Sequence, residues 1–412
     1  MSKLQNAQFG AKAFQPGTDK LPGVFPREMG PNTLPYLKEV VDSGLASDLY
    51  ERMTAYLAKL YGVRFAIGTP GCTQAIFAAM LGMDFPPGSE IIVSPIADYG
   101  TVAGILFENY VPVFADVEPG TALVSAQTIR PLITERTRAI LCVHKLGLPC
   151  DMDPIMDLAE RHGLTVIADL CQAVLARYRG GLTRTLGHVG CFSFDAEKTC
   201  GGDIGGAVVT DDQELYERIN NRAIARGGYQ VPGFGRSHTY RGFATRMPQC
   251  TAATCLANLE ILPRQVENRQ KMAALLDERI GRIDGIIPYR VPADRTHTYW
   301  MYGFSVDPGR FRASPDELAT QLAEAGIPGI GMGKYYLLPI ALPFLREGAE
   351  RRDHPYSLLP RGWKHTYAAE AVPNARAFLD TWIRWPWTEK YTPAHVAHIA
   401  ELIGEVAERN RR

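Results

Sequence analysis

Short apolar runs rich in β-branched residues recur between about 65 and 210, separated by stretches of helical spacing. The runs 90–94 (EIIVS), 112–116 (PVFAD), 138–143 (RAILCV), 165–169 (TVIAD), 189–194 (VGCFSF) and 206–210 (GAVVT) are continuous rather than alternating. A strand that is apolar on both sides is buried on both sides. The pattern therefore predicts a largely parallel sheet covered by helices, an α/β unit. Leu49, Met53, Leu57 and Leu60 recur at helical spacing behind Ser47 as a candidate cap, and Gly62 stops the helix. A second helix is predicted with Asp153 as its cap, Pro154 at its first position and Gly163 at its end.

Outside this region the texture changes. Residues 1–35 are rich in Gly, Pro and polar side chains and read as an arm. The stretch 211–280 is mostly helical, interrupted from Gly227 to Met247 by an irregular segment holding Arg236, His238, Tyr240, Arg241 and Arg246 among glycines. A loop that long inside a domain is often functional. Beyond about 285 the chain reads as a smaller α+β unit ending in an amphipathic helix, Pro393 to Arg409. The expected organisation is an arm (1–35), a large domain (36–265) and a small C-terminal domain (266–412).

Composition narrows the function classes. A chain of 412 residues exceeds one hydrophobic core. Its 44 basic side chains equal its 44 acidic ones, which gives no reason to expect a nucleic-acid partner. No apolar run approaches the roughly 20 residues that span a bilayer, and the start lacks the apolar core of a secretory signal. The eight cysteines form no CxxC pair and no zinc spacing. They read as reduced, buried thiols of a cytoplasmic protein, and no metal is expected.

Three local features carry chemistry. In AIGTPGCTQAIFAAM (66–80) a glycine-rich turn enters a helix whose unpaired N–H groups suit a phosphate, although such turns are common. Asp169 ends the run TVIAD, where a parallel strand faces the ligand crevice; a helix cap is the plainer reading. Lys198 lies just past a strand in CFSFDAEKTCGGDIGG (191–206), five residues after Ser193. An isolated lysine is usually solvated. Together these features are what pyridoxal phosphate (PLP) requires: an amine for a Schiff base, an anion for the pyridine nitrogen, phosphate donors near Thr73, and a group flat against the ring. The chain lacks G-x-G-x-x-G after its first strand, which argues against a dinucleotide-dependent oxidoreductase.

The blocks GCTQAIFAAM, EIIVSPIADYGTVAGIL, PVFADVEP, VHKLGLPCDMDPIMDLAERHGL, IADLCQA, GCFSFDAEKTCGG and IGGAVVT carry a resemblance to a known family. The sequence resembles the DegT/StrS-like sugar aminotransferases, fold type I PLP-dependent enzymes, over nearly its whole length. The Asp-x-x-Gln and Ser-x-x-x-x-Lys spacings fall in register. The resemblance implies a large domain with a mainly parallel sheet between helices and a smaller α+β domain. It implies that Lys198 forms the imine and shuttles the proton, that Asp169 pairs with the pyridine nitrogen, and that Gln172 lies over or beside the ring. Thr73 and Gln74, with Cys72 at the same helix start, and Ser193 would hold the phosphate.

The sequence also departs from the family. The ring-stacking aromatic position is Asp98 here, with Tyr99 adjacent as a stand-in. The Asn that reaches the partner subunit's phosphate is Ala244, and Arg236, His238 and Arg241 are candidates to replace it. The family's active site sits at a homodimer interface. By resemblance the reaction is an aminotransfer from L-glutamate or L-glutamine to a keto sugar or keto cyclitol, in amino-sugar or antibiotic biosynthesis. Tyr335, Tyr336 and Arg384 lie in segments able to close over the site, although packing or surface roles suit them better. The alternatives are an aminating dehydratase making an aromatic amine from an amino-dehydroshikimate-like ring, toward which SPIADYGTVAGIL leans, and a non-catalytic PLP-binding regulator. Family dehydratases that lack transamination carry His in place of the lysine, and a regulator would have lost Lys198 or Asp169; both are present.

Overall fold

The computed structural model describes residues 14–16, 19–183, 187–224, 229–233, 235–237 and 242–412. Helices α1 (Thr33–Asp42) and α2 (Leu49–Tyr61) lead into β1 (Phe65–Thr69), α3 (Cys72–Met83), β2 (Glu90–Val93), α4 (Tyr99–Phe107) and β3 (Val111–Phe114). Then come α5 (Ala126–Ile129), β4 (Thr137–Val143), α6 (Met152–His162), β5 (Thr165–Asp169) and a small hairpin, β6 (Arg177–Tyr178) with β7 (Gly181–Leu182). Next are β8 (Val189–Ser193), β9 (Gly206–Thr210), α7 (Gln213–Ile219), a second hairpin, β10 (Tyr229–Val231) with β11 (Gly235–Ser237), and α8 (Gln249–Ile280).

The main sheet has the order β1-β9-β8-β5-β4-β2-β3. All neighbours are parallel except β9, which runs against both β1 and β8. Strands β2, β3, β8 and β9 are buried at every residue, as their continuous apolar runs require. The fold is the expected α/β class. Strand β1 was not among the predicted runs: two of its five residues are only half-buried, and it offers no apolar run of comparable length. The described residues contain no helix long and apolar enough to cross a membrane.

Two helix starts differ from expectation, each because a distant side chain does the capping. At α2 the cap residue is Asp48 without a side-chain bond, and Gln249 Oε1 accepts from both Ser47 Oγ (3.2 Å) and the Tyr50 amide (2.9 Å). At α6 the helix begins at Met152 behind Asp151, not behind Asp153. Tyr178 Oη donates to Asp151 (2.7 Å) and accepts from the Asp153 amide (3.2 Å).

The second sheet, β12 (Ile286–Pro288), β13 (Met301–Val306), β15 (Trp382–Pro386) and β14 (Gly331–Met332), is antiparallel in that order. Helices α9 (Pro315–Glu324), α10 (Leu338–Ala341), α11 (Pro343–Arg351) and α12 (Pro373–Thr381) lie between its strands in sequence, and α13 (Pro393–Arg409) closes the chain. The expected boundary after residue 265 falls inside α8, which packs on α1, α2 and α13. Within the irregular segment, Arg236 lies on β11, whereas His238, Tyr240 and Arg241 lie outside the described residues.

Candidate active site

The C-terminal ends of β1, β5 and β8, the start of β9 and the turn after β2 converge on a cavity of about 340 Å³, within the range of small-molecule sites. Its walls include Cys72, Thr73, Gln74, Asp98, Thr101, Asp169, Cys171, Ser193 and Lys198. A larger cleft of about 550 Å³ runs between Lys334 and Asp380. Its charged groups are tied up in ion pairs, Lys334 with Asp316 and Arg376 with Glu370 and Asp380. The chemistry-bearing groups gather in the smaller cavity.

Asp169 is 1% exposed. Thr101 Oγ1 donates to its Oδ2 (2.9 Å) and the Cys171 amide to its Oδ1 (3.1 Å). Cys72 and Cys171 flank it, with one ligand atom of each of the three within 4.8 Å of the others. Contact with Cys171, burial and the Asp169 charge push the Cys72 thiol well above its usual range, so it stays neutral beside the carboxylate.

At the start of α3, Gly71 is the cap residue, and no side chain among the described residues caps the first-turn amides. Those amides, with Thr73 and Ser193, make an anion cradle. Gly206 of β9 permits it, since a Cβ there would sit 2.4 Å from the Gly71 carbonyl and 2.7 Å from the Cys72 nitrogen.

Lys198 lies in the turn leaving β8. Arg27 of the N-terminal segment donates to Ala196 O and Thr199 O, both at 3.0 Å, one on either side of the lysine. Trp300 Nε1 donates to Glu197 O (3.0 Å), and Lys198 Nζ lies 4.0 Å from the centre of the Trp300 ring.

Asp98 caps α4 in an extended conformation, accepts from the Gly100 amide (3.3 Å) and lines the cavity. Tyr99 does not line it; its ring meets Phe344 of α11, edge to face, at 6.4 Å. Gln172 is buried just behind the wall, its Oε1 accepting from the Leu146 amide (2.7 Å). Ala244 is exposed. Arg236 pairs with Gln230 across the β10–β11 hairpin, and His238 and Arg241 lie outside the described residues.

Sequence reasoning missed Arg27, Thr101, Trp300 and Lys145. Lys145 alone left a signal, as a charge inside the apolar run AILCVHKLGL. Arg27 and Trp300 reach the site from distant segments with no local mark, and Thr101 is an unmarked threonine in the helix that Asp98 caps.

An open helix N-terminus, a buried and oriented carboxylate and an amine on one cavity fit PLP: α3, Thr73 and Ser193 for the phosphate, Asp169 for the ring nitrogen and Lys198 for the aldehyde. Residues 28–404 match the DegT/DnrJ/EryC1/StrS aminotransferase family. The chain is similar to GDP-perosamine synthase of Caulobacter vibrioides, 30% identical over 300 residues covering 72% of this chain and 80% of that protein. It is similar to L-glutamine:2-deoxy-scyllo-inosose aminotransferase of Streptomyces fradiae, 32% identical over 293 residues covering 68% and 69%. Among solved structures, S. venezuelae DesV superposes with a TM-score of 0.77 at 26% identity, covering 93% of this chain and all of that one.

Proposed function

The chain belongs to the DegT/DnrJ/EryC1/StrS aminotransferase family, whose cofactor is pyridoxal phosphate, and from that premise we propose that it moves an amino group from L-glutamate or L-glutamine to a keto sugar or keto cyclitol, toward an amino sugar or an antibiotic. The observation that carries this reading is the convergence of Lys198, Asp169, Ser193 and the open start of α3 on one cavity. The donor and acceptor classes rest on the relatives, one named for a GDP-linked amino sugar and one for L-glutamine and an inosose.

When bound, the cofactor supplies a protonated ring that withdraws the electron pair left when the amine-bearing carbon loses its proton. Asp169, held by Thr101 and the Cys171 amide, would be the anion that keeps the ring nitrogen's proton. Lys198 Nζ would hold the aldehyde end of the bound cofactor and, once displaced by the donor's own amine, would be the free base that moves the proton at the substrate carbon. Arg27 and Trp300 fix the backbone on both sides of that lysine, which limits where its amine can travel. A group parked on the enzyme between two half-reactions gives ping-pong kinetics.

The reading includes a homodimer with shared sites. Phe107 and Phe243, 70% and 67% exposed, stand on either side of Phe77 with ring centres at 6.2 and 5.9 Å. A contiguous exposed aromatic patch of this kind suits a partner surface.

The test is the visible absorbance of the purified protein before and after L-glutamate or L-glutamine, with Lys198→Ala beside it. We expect a yellow band that bleaches with a donor and is lost in the variant. A colourless protein that no added PLP restores would sink the proposal.

A further inference from the structure

Lys145 follows β4 in the turn whose next residue, Leu146, has φ 64°, and this turn carries the lysine inward. It is 1% exposed, and its Nζ makes no hydrogen bond among the described residues. The amine lies 3.6 Å from the centre of the Tyr336 ring and 6.0 Å from that of Trp300, the indole that Lys198 faces from 4.0 Å. Cation–π contact offsets part of the penalty for burying an amine without an anion. The nearby acids are already committed, Asp98 to the start of α4 and Asp169 to Thr101 and the Cys171 amide.

We propose that Lys145 is a substrate-binding cation of this active site, holding a carboxylate carried by the amino donor or by the keto acceptor. The inference rests on the aminotransferase reading above. Both amines face the Trp300 ring, and Lys198 is a wall of the cavity, as are Asp98 and Asp169, whose charges favour a protonated Lys145. The amine therefore stands behind the surface that a substrate touches, one charge short of a pair. A carboxylate bound against that surface supplies that charge by attraction at close range. Both proposed donors carry one; an acceptor with a ring-borne carboxylate would carry another.

Proton linkage sharpens the test. Burial lowers the Lys145 amine to about 7. Below that value the amine is charged and binds an anion. Above it the proton is lost and affinity falls, by about tenfold per pH unit, until the higher value set by the bound carboxylate is passed.

The experiment is calorimetric titration of the PLP-loaded protein with glutarate, an open-chain dicarboxylate without an amine, and with benzoate, a ring-borne carboxylate. Wild type, Lys145→Met and Lys145→Arg are compared at pH 6.5 and 8.5, with the visible band as the check that the site is intact. We expect Lys145→Met to weaken at least one probe about 10- to 100-fold, and Lys145→Arg to retain most of the binding while losing its fall with pH. Loss confined to glutarate assigns the donor's carboxylate, and loss confined to benzoate the acceptor's. Unchanged affinities in Lys145→Met overturn the proposal, as does a wild type that takes up neither probe at millimolar concentration. Failure of the aminotransferase reading alone would show differently: carboxylate binding would still depend on Lys145, but no donor would bleach the cofactor band.

Discussion

The proposed role of Asp169 depends on its carboxylate, which Thr101 and the Cys171 amide hold in one orientation at the cavity wall. In Asp169→Asn we expect the visible cofactor band to persist and turnover to fall by at least about 100-fold, since a neutral amide cannot hold the nitrogen's proton. Normal turnover in that variant would remove Asp169 from this role. Thr101→Val deletes one hydrogen bond to a charged acceptor, a change of about 1.5–3 kcal/mol. We expect kcat to drop about tenfold or more with the donor KM nearly unchanged; a change in KM alone would mean that Thr101 acts on binding. Both residues sit where sequence reasoning looks, but only Asp169 announced itself. Thr101 is a threonine in an apolar helix, and its partner is 68 residues away.

At the scale of elements, the cradle depends on how closely α3 approaches β9. Gly206→Ala places a methyl against the Gly71 carbonyl, so backbone rather than a flexible side chain must give way. Overpacking of that kind costs about 1–3 kcal/mol. We expect a lower thermal midpoint together with weaker PLP retention on dialysis. A variant that loses stability while holding PLP normally would show that the phosphate is not seated at the start of α3. Helical capping explains the choice between neighbours at the start of α4: Asp98 occupies the cap and faces the cavity, which sends Tyr99 one step round the helix toward Phe344.

For the whole molecule, the small unit is tied to the large one through α8. Arg269 and Glu389 form an ion pair at 2.6 Å with both side chains 2% exposed, and the same guanidinium reaches the Tyr299 and Trp387 carbonyls. These contacts hold the 297–300 segment, and with it Trp300, against the Lys198 turn; the Trp300 amide also bonds Leu146 O (3.1 Å). The Phe107–Phe77–Phe243 patch is the place to test assembly. If the proposed homodimer forms through this patch, Phe243→Glu should give a monomer in light scattering at micromolar concentration where wild type gives a dimer, with the far-ultraviolet circular dichroism kept and activity lost in parallel. A wild type that is a fully active monomer would end the shared-site reading.

The sequence by itself determined what depends on local pattern. Continuous apolar runs require two-sided burial, which gave the parallel sheet, and helical spacing placed the last helix at Pro393–Arg409, where it is found. The spacing of Asp169, Ser193 and Lys198 put each at or just past the end of a strand, so their arrival at one crevice followed from the sheet order. Tertiary structure decided what depends on contacts between distant segments. Gln249 and Tyr178 cap helices that local residues were expected to cap, and β1 joins the sheet with little apolar signal of its own. Arg27 and Trp300 reach the Lys198 turn across 169 and 103 residues. Lys145 lay in plain view within an apolar run, but only the packing of Tyr336 and Trp300 around it shows that its amine is buried beside the site without an anion.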